Sequence, residues 1–223
     1  MIVLKGVEKK YITKHGEIKA LDRINLQINR GEFIVVCGPS GSGKTTLLMI
    51  IAAMLKPTRG DVFIEEENIY SMSIRNRANL RAENIGFVFQ MFHLIPYLNV
   101  MENVLLAGRS ILRKQAVLET NKIINSLGLE KRKFHKPSEL SAGEKQRTTI
   151  ARAILIHPKI ILADEPTGNL DPDNAEIVLR FLAKFHLNGG TVIVASHSKS
   201  ANRFAKRIIY LQNGRIVNTL NHL

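Results

Sequence analysis

The sequence predicts an α/β fold: a mainly parallel sheet wrapped by helices, with an antiparallel β piece at the N-terminus and an α-helical insertion in the middle. Three observations lead there. The runs FIVVC, KIILAD and TVIVASH are almost continuously apolar, as parallel strands buried on both faces are. Residues 1–36 instead alternate apolar and polar positions, the pattern of half-exposed antiparallel strands. The segment from about Val100 to Leu129 carries no strong strand signal and ends at Gly128, so it reads as helices. A length of 223 residues suits one such core, and the expected organisation is a single domain over 1–223 with the helical insertion at roughly 91–157.

Taken in order, MIVLKGV and INLQIN are the N-terminal strands, with turn signals at Gly16 and Arg30-Gly31. FIVVC follows as a buried strand, then a glycine-rich segment from Gly38 to Gly43. KTTLLMIIAAMLK, apolar nearly all round, predicts a buried helix that begins at the glycines and stops near Lys56, ahead of Pro57 and Gly60. GDVFIEEENI and IGFVFQ predict two further strands. In LSAGEKQR, Ser141-x-x-Glu144 is the signature of a capping box, in which Ser141 accepts from the Glu144 N–H and Glu144 reaches back to the Ser141 N–H. Ile177, Val178, Phe181, Leu182 and Phe185 recur at helical spacing between KIILAD and TVIVASH. Asp171 followed by Pro172 is a good opening for that helix. The tail RIIYLQNGRIVNTL predicts two strands around Asn213-Gly214.

Composition narrows the class. Hydrophobic residues make up 45% and charged residues 23%, which excludes a disordered chain. One cysteine, Cys37, excludes an intramolecular disulfide; inside FIVVC it reads as a small buried hydrophobe, which fits a reducing cytosol. The longest apolar stretch, LLMIIAAML, is about half a spanning length, and the start is charged too early for a secretory segment, so the chain is not expected to cross a membrane by itself. The 32 Lys plus Arg against 19 Asp plus Glu give a net charge of +13. That points to an anionic partner such as nucleic acid or lipid headgroups, or to a solvated basic surface beside a site for a polyanionic nucleotide.

GPSGSGKTT, comprising Gly38, Pro39, Ser40, Gly41, Ser42, Gly43, Lys44, Thr45 and Thr46, matches G-x-x-x-x-G-K-[ST] between a buried strand and a helix, the context a phosphate-binding loop requires. The glycines let successive N–H groups turn inward, the helix N-terminus adds positive potential, Lys44 reaches the β and γ oxygens, and the Thr45 hydroxyl binds Mg²⁺. Downstream, Ile160–Ala163 end in Asp164-Glu165, a strand tip with one carboxylate for Mg²⁺ and another for an attacking water.

With LSAGEKQR, Gln90 ending IGFVFQ, NLD after DEPTG and His197 ending TVIVASH, the set resembles the ATP-binding subunit of ABC transporters over nearly the whole chain. FVFQMFHLIPYLNVMENV and ILADEPTGNLD are most similar to the LolD/MacB/FtsE branch. The resemblance implies a P-loop NTPase core of RecA-like type that binds and hydrolyses ATP with Mg²⁺. It implies that Tyr11 stacks on adenine, that Gly38–Thr46 hold the phosphates, and that Asp164 and Thr45 arrange the metal. Glu165 would be the general base, Gln90 would sense the γ-phosphate and metal, and His197 would contact the γ-phosphate and the attacking water. Ser141, Ala142, Gly143 and Glu144 would complete the ATP site of a second copy in a homodimer formed on ATP binding, and Asp171 would be a nucleotide-site residue as well as a helix cap.

The implied partners are integral membrane permease subunits, which would place the chain in the cytoplasm, peripheral on the inner face of the cell membrane and powering transport or extraction, most naturally export. The apolar MFHLIPYLNVMENV would dock such a subunit or form the core of the insertion. A soluble ATPase of this family acting on nucleic acid is an alternative that the charge encourages, but such proteins carry tandem units or long coiled coils, neither of which is present. A nucleotide-dependent cell-division switch is the other alternative. The chain departs from the common wording L-S-G-G-Q at Ala142 and Glu144, and a Cβ at Ala142 is expected to narrow the backbone geometry available beside a phosphate.

Overall fold

The computed structural model describes residues 1–14, 16–108 and 112–221; positions 109–111, within the stretch expected to be helical, lie outside the described residues. The strands are β1 (Ile2–Thr13), β2 (Gly16–Ile28), β3 (Phe33–Cys37), β4 (Arg59–Ile64), β5 (Glu67–Asn68), β6 (Ile85–Val88), β7 (Ile160–Asp164), β8 (Thr191–Ala195), β9 (Arg207–Gln212) and β10 (Arg215–Asn221). The helices are α1 (Lys44–Ile51), α2 (Ile74–Asn84), α3 (Val100–Leu105), α4 (Arg113–Ser126), α5 (Ala142–Ile154) and α6 (Pro172–Leu187).

Two sheets form. An antiparallel sheet has the order β2-β1-β4-β5, and a six-stranded sheet has the order β10-β9-β3-β8-β7-β6, parallel except for the β9–β10 hairpin. The continuous apolar runs have a direct cause in side-chain alternation. Ile34 and Val36 of β3 face one apolar cluster, with α1 and the antiparallel sheet, while Phe33, Val35 and Cys37 face a second with α5 and α6. Successive strand residues point to opposite faces, so a sheet covered on both sides needs an apolar residue at every position.

α1 is shorter than the expected helix reaching Lys56. Its end is a Schellman closure: Met54 N donates to Met49 O at 3.0 Å and Ala53 N to Ile50 O at 3.1 Å, with Ala53 left-handed at φ 56. An alanine occupies the place usually held by glycine, so no stop signal was present to read. GDVFIEEENI is also not one strand. Glu65 (φ 51) and Glu66 (φ 72) turn the chain back so that β5 pairs with β4, a two-residue hairpin without the usual Asn-Gly. Glu65 is tied there by the N-terminal ammonium at 3.1 Å and by Arg30 Nε at 2.9 Å, and the Arg30 hydrogen bond holds its carboxyl down at about 2.

α2 has no counterpart in the sequence reading. It is capped by Ser73, whose hydroxyl accepts from Asn76 N, and buries none of its residues, so it carries no apolar period. Between β6 and β7 lie α3, α4 and α5, in the region expected to be helical. Asn99 and Glu102 form a capping box on α3, and the Asn103 amide is buried, bonded to the carbonyls of Ile95, Leu98 and Asn99.

α5 rests on β6 at Gly86, where a Cβ would lie 2.5 Å from the Ala153 carbonyl oxygen. Gly86→Ala is therefore expected to destabilise the fold by about 1–3 kcal/mol through overpacking. Urea unfolding should show a lowered midpoint with an unchanged slope.

Candidate nucleotide site

The loop from Gly38 to Gly43 leaves the carboxyl end of β3, at the centre of the parallel sheet, and runs into α1. Its two end glycines are required by contact as well as conformation. Gly38 (φ 154) passes so close to β9 that a Cβ would sit 2.1 Å from Leu211 O. At Gly43 (φ 105) it would sit 2.2 Å from Ala20 O of β2. The tail hairpin braces the loop, because Gly214 N donates to Ser42 O at 3.0 Å. Neither Ala20 nor Gly214 carries a sequence signal for a role at this site.

Lys44 is buried, and its ammonium donates to Gly38 O at 2.9 Å and Pro39 O at 3.1 Å. Its Nζ also lies 3.8 Å from Glu165 Oε1. The Thr45 hydroxyl donates to Asp164 Oδ1 at 3.1 Å. Asp164 ends the buried strand β7, and burial pushes its carboxyl up, against the Thr45 hydrogen bond, with Glu165 pushing further upward and Lys44 opposing. The buried Ser42 hydroxyl oxygen has no hydrogen-bond partner among the described residues.

A divalent cation fits here. A desolvated carboxylate beside a hydroxyl gains from a nearby positive charge, and hard oxygen donors suit Mg²⁺. Among the described residues no group of three or more His, Cys, Asp or Glu forms an all-protein metal cage.

Glu165 follows Asp164 in a left-handed conformation (φ 45), with its N–H bonded to Ala195 O at 2.9 Å across to β8. Oε2 accepts from the His197 amide at 3.3 Å and lies 2.9 Å from His197 Nδ1. That contact places the imidazole proton on Nδ1 when His197 is neutral. Glu165 is thus bracketed by an ammonium on one oxygen and a histidine on the other. Lys44, Thr45, Thr46, Gln90, Glu165 and His197 all line one open cavity of about 460 Å³, together with loop residues.

The other expected residues lie elsewhere. Tyr11 stands partly exposed on β1 opposite Ile18, with Lys9 Nζ 5.3 Å from its ring centroid. Ser141, Ala142, Gly143 and Glu144 start α5, and Asp171 caps α6; none of them lines the cavity. The capping box is present: Glu144 N donates to Ser141 Oγ at 3.2 Å and Ser141 N to Glu144 Oε2 at 2.8 Å. Burial of Glu144 is outweighed by the Ser141 amide and by Arg132, whose Nε is 3.0 Å away, so its carboxyl sits below the usual range.

Ala142 is an ordinary first helical residue, absent from the left-handed positions. It is at Gly143 that a side chain would collide, since a Cβ would meet Asn174 Oδ1 at 2.2 Å and would have to displace the Asn174 side chain. Asn174 in turn donates its N–H to Asp171 Oδ1 and its side-chain N–H to Oδ2, and accepts from Arg147 at 2.7 Å. The starts of α5 and α6 are therefore one hydrogen-bonded unit. Asn174 and Arg147 were not singled out from the sequence, because their partners are distant in the chain.

The raised Asp164 pKa has a sign that can be tested. A carboxyl raised in the folded state stabilises folding fully below its unfolded pKa, and that contribution is lost as pH rises through the folded value. Asp164→Asn is expected to unfold at higher denaturant than the parent at pH 7, an advantage that fades as the buffer is taken towards pH 4, while ATPase activity falls.

Residues 21–168 match the ABC transporter family. The chain is 42% identical over 227 residues to the ABC transporter ATP-binding protein MJ1508 of Methanocaldococcus jannaschii, covering 99% of this chain and 100% of that protein. It is 41% identical to the macrolide export ATP-binding/permease protein MacB of Escherichia coli, across 97% of this chain and 34% of MacB. In structure it is similar to the dimeric MJ0796 cassette of Methanocaldococcus jannaschii, with a TM-score of 0.94, 39% identity, and coverage of 99% of this chain and 98% of that one. Against the post-hydrolysis MJ0796 dimer bound to ADP and Pi the TM-score is 0.91 at 40% identity, again covering 99% of this chain and 98% of that one. The chain belongs to the ABC transporter family, as an ATP-binding ATPase similar to MacB and MJ0796.

Proposed function

We propose that this chain is the motor of a transport complex: two copies close head to tail over two ATP molecules and move separate integral membrane permease subunits, in the direction of export or extraction. One observation carries the reading. The phosphate loop, Gln90, Glu165 and His197 share a cavity, whereas the Ser141–Glu144 turn starts α5 outside it. A symmetric pair facing head to tail would bring each turn to the other copy's cavity through an isologous interface. That the MJ0796 structures are dimeric supports the pairing of two copies. The ATP-binding/permease name of MacB supports a membrane partner and export. No helix among the described residues is long and apolar enough to cross a membrane, so the transmembrane path would be supplied by the partner, with this chain held at the inner face of the cell membrane.

In this reading the loop amides and the N-terminus of α1 receive the phosphates, and Lys44 exchanges its two carbonyl partners for β and γ oxygens. Tyr11 stacks on the adenine. Thr45 and Asp164, with Gln90, would hold Mg²⁺, which neutralises phosphate charge when bound. Glu165 accepts a proton from the attacking water, and its contacts with Lys44 and His197 point the carboxylate. His197, exposed at the cavity mouth, reaches the γ-phosphate and the water. From the partner copy, the Ser141 hydroxyl and the amides of Ala142 and Gly143 complete the γ-phosphate site, with Glu144 and Asp171 setting the geometry of those turns. The Ser141 hydroxyl already serves the capping box, so nucleotide competes with an internal hydrogen bond when the dimer closes.

Glu165→Gln keeps the shape and removes the base. It is expected to bind ATP with near-parent affinity, lose about 10²–10⁴-fold in kcat and accumulate as an ATP-dependent dimer by size-exclusion chromatography. Normal turnover in this variant would sink the base assignment, and a monomer with ATP bound would sink the head-to-tail pairing. Ser141→Ala is expected to cost about 1 kcal/mol of stability and to weaken ATP-driven dimerisation of the Glu165→Gln chain, read by the same chromatography.

A further inference from the structure

The segment that leads away from Gln90 is backbone-strained and held from outside. Phe92 (φ 56) and His93 (φ 49) are successive left-handed residues, a conformation that side chains with a Cβ resist. Local contacts are limited: His93 N bonds to Met91 O at 2.5 Å, and the His93 ring meets Phe89 edge-on at 4.8 Å. The main restraint comes from α5. Arg152 Nη1 donates to His93 O at 2.7 Å and Nη2 to Phe92 O at 2.9 Å, so one planar guanidinium grips both carbonyls of the strained pair.

Arg152 is unusual for a cation. It is half-buried, and burial pushes its pKa down, yet it has no carboxylate partner among the described residues. A desolvated arginine without an anion is costly unless its donors are used, and here two carbonyl oxygens of one short loop accept from it. On the opposite side, Gln90 is steadied by the segment after Glu165: Asn169 Nδ2 donates to Gln90 O at 3.4 Å. Gln90 therefore enters the cavity between a brace from the Glu165 segment and a clamp from α5.

We propose that Arg152 is the positioning residue for Gln90: its fork holds Phe92–His93 in the left-handed conformation and thereby fixes the direction in which Gln90 enters the nucleotide cavity. Because α5 begins at Ser141, the clamp also joins the partner-facing turn and the Gln90 segment through one rigid helix. The proposal rests on the reading that Gln90 acts on the γ-phosphate and metal, and it concerns a residue that itself touches neither.

The test is a double-mutant cycle in the full chain. Arg152→Met keeps the bulk and removes the fork. It is expected to lower kcat 10–100-fold, as a small misplacement near the chemistry does, to leave equilibrium ATP affinity within about twofold of the parent, and to speed hydrogen exchange at the amides of residues 91–94. In a Gln90→Ala background, Arg152→Met should cause little further loss, since both changes act through one group. His93→Gly, which accepts the left-handed backbone without strain, should recover part of the kcat lost in Arg152→Met.

Full additivity in the cycle, no recovery by His93→Gly, or weakened ATP binding matching the loss in kcat would each overturn the proposal and leave Arg152 a packing residue. If Arg152→Met does not fold, Arg152→Lys, with the charge but not the fork, supplies the same readouts. Gln90→Ala with parent kcat would remove the reading of Gln90 itself, while the exchange rates would still decide the clamp.

Discussion

The structure turns on how little space surrounds the phosphate loop. At both ends its backbone lies against main-chain carbonyls, Leu211 O beside Gly38 and Ala20 O beside Gly43, at distances no Cβ can occupy. The loop is therefore wedged between the parallel sheet and the antiparallel sheet. α1, buried in the apolar cluster the two sheets share, is the wedge continued. Two-sided confinement of this kind fixes the loop amides without side-chain help, which a site made of backbone donors needs.

Electrostatics at the site follow from the same confinement. Four ionisable or polar groups, Lys44, Thr45, Asp164 and Glu165, meet near the carboxyl ends of β3 and β7, with Lys44 and Asp164 buried and Thr45 exposed. Asp164 is held in an environment that disfavours its charge, and Glu165 in a backbone conformation that disfavours its side chain. Left-handed non-glycine residues cost of order 1–3 kcal/mol each and persist where the surroundings over-determine them. Here the Ala195 carbonyl, His197 and Lys44 do so. Stability is spent where charge must be ready for a polyanionic nucleotide.

α5 gives the remainder of the molecule its logic. Its first turn is closed by Ser141, Glu144 and Arg132 and pressed onto α6 through Gly143 and Asn174. Near its other end Ala153 lies against β6 at Gly86 and Arg152 grips the segment beyond Gln90. A helix of 13 residues with contacts at both ends moves as a unit. In that segment Met91 and Tyr97 are exposed, while Val100 and Val104 are buried in the cluster shared with β3, α5 and α6, so MFHLIPYLNVMENV is partly surface and partly core.

The sequence alone determined the α/β class, the strands buried on both faces, the phosphate loop, the Asp164-Glu165 tip and the caps at Ser141 and Asp171. Each is a local pattern: an apolar run, a glycine spacing, or a polar residue three positions before its partner amide. It did not show the early end of α1, the Glu65–Glu66 turn or the polar helix α2. Ala53 and the two glutamates adopt left-handed backbone without the glycine that marks it, and α2 has no apolar face to leave a period. Only the tertiary structure decided why Gly86 must lack a side chain, that Gly143 packs against Asn174, that Gly214 supports the loop, and that Arg152 reaches Phe92 and His93. Those contacts join residues dozens of positions apart, and the energy that selects them exists only after the chain has closed on itself.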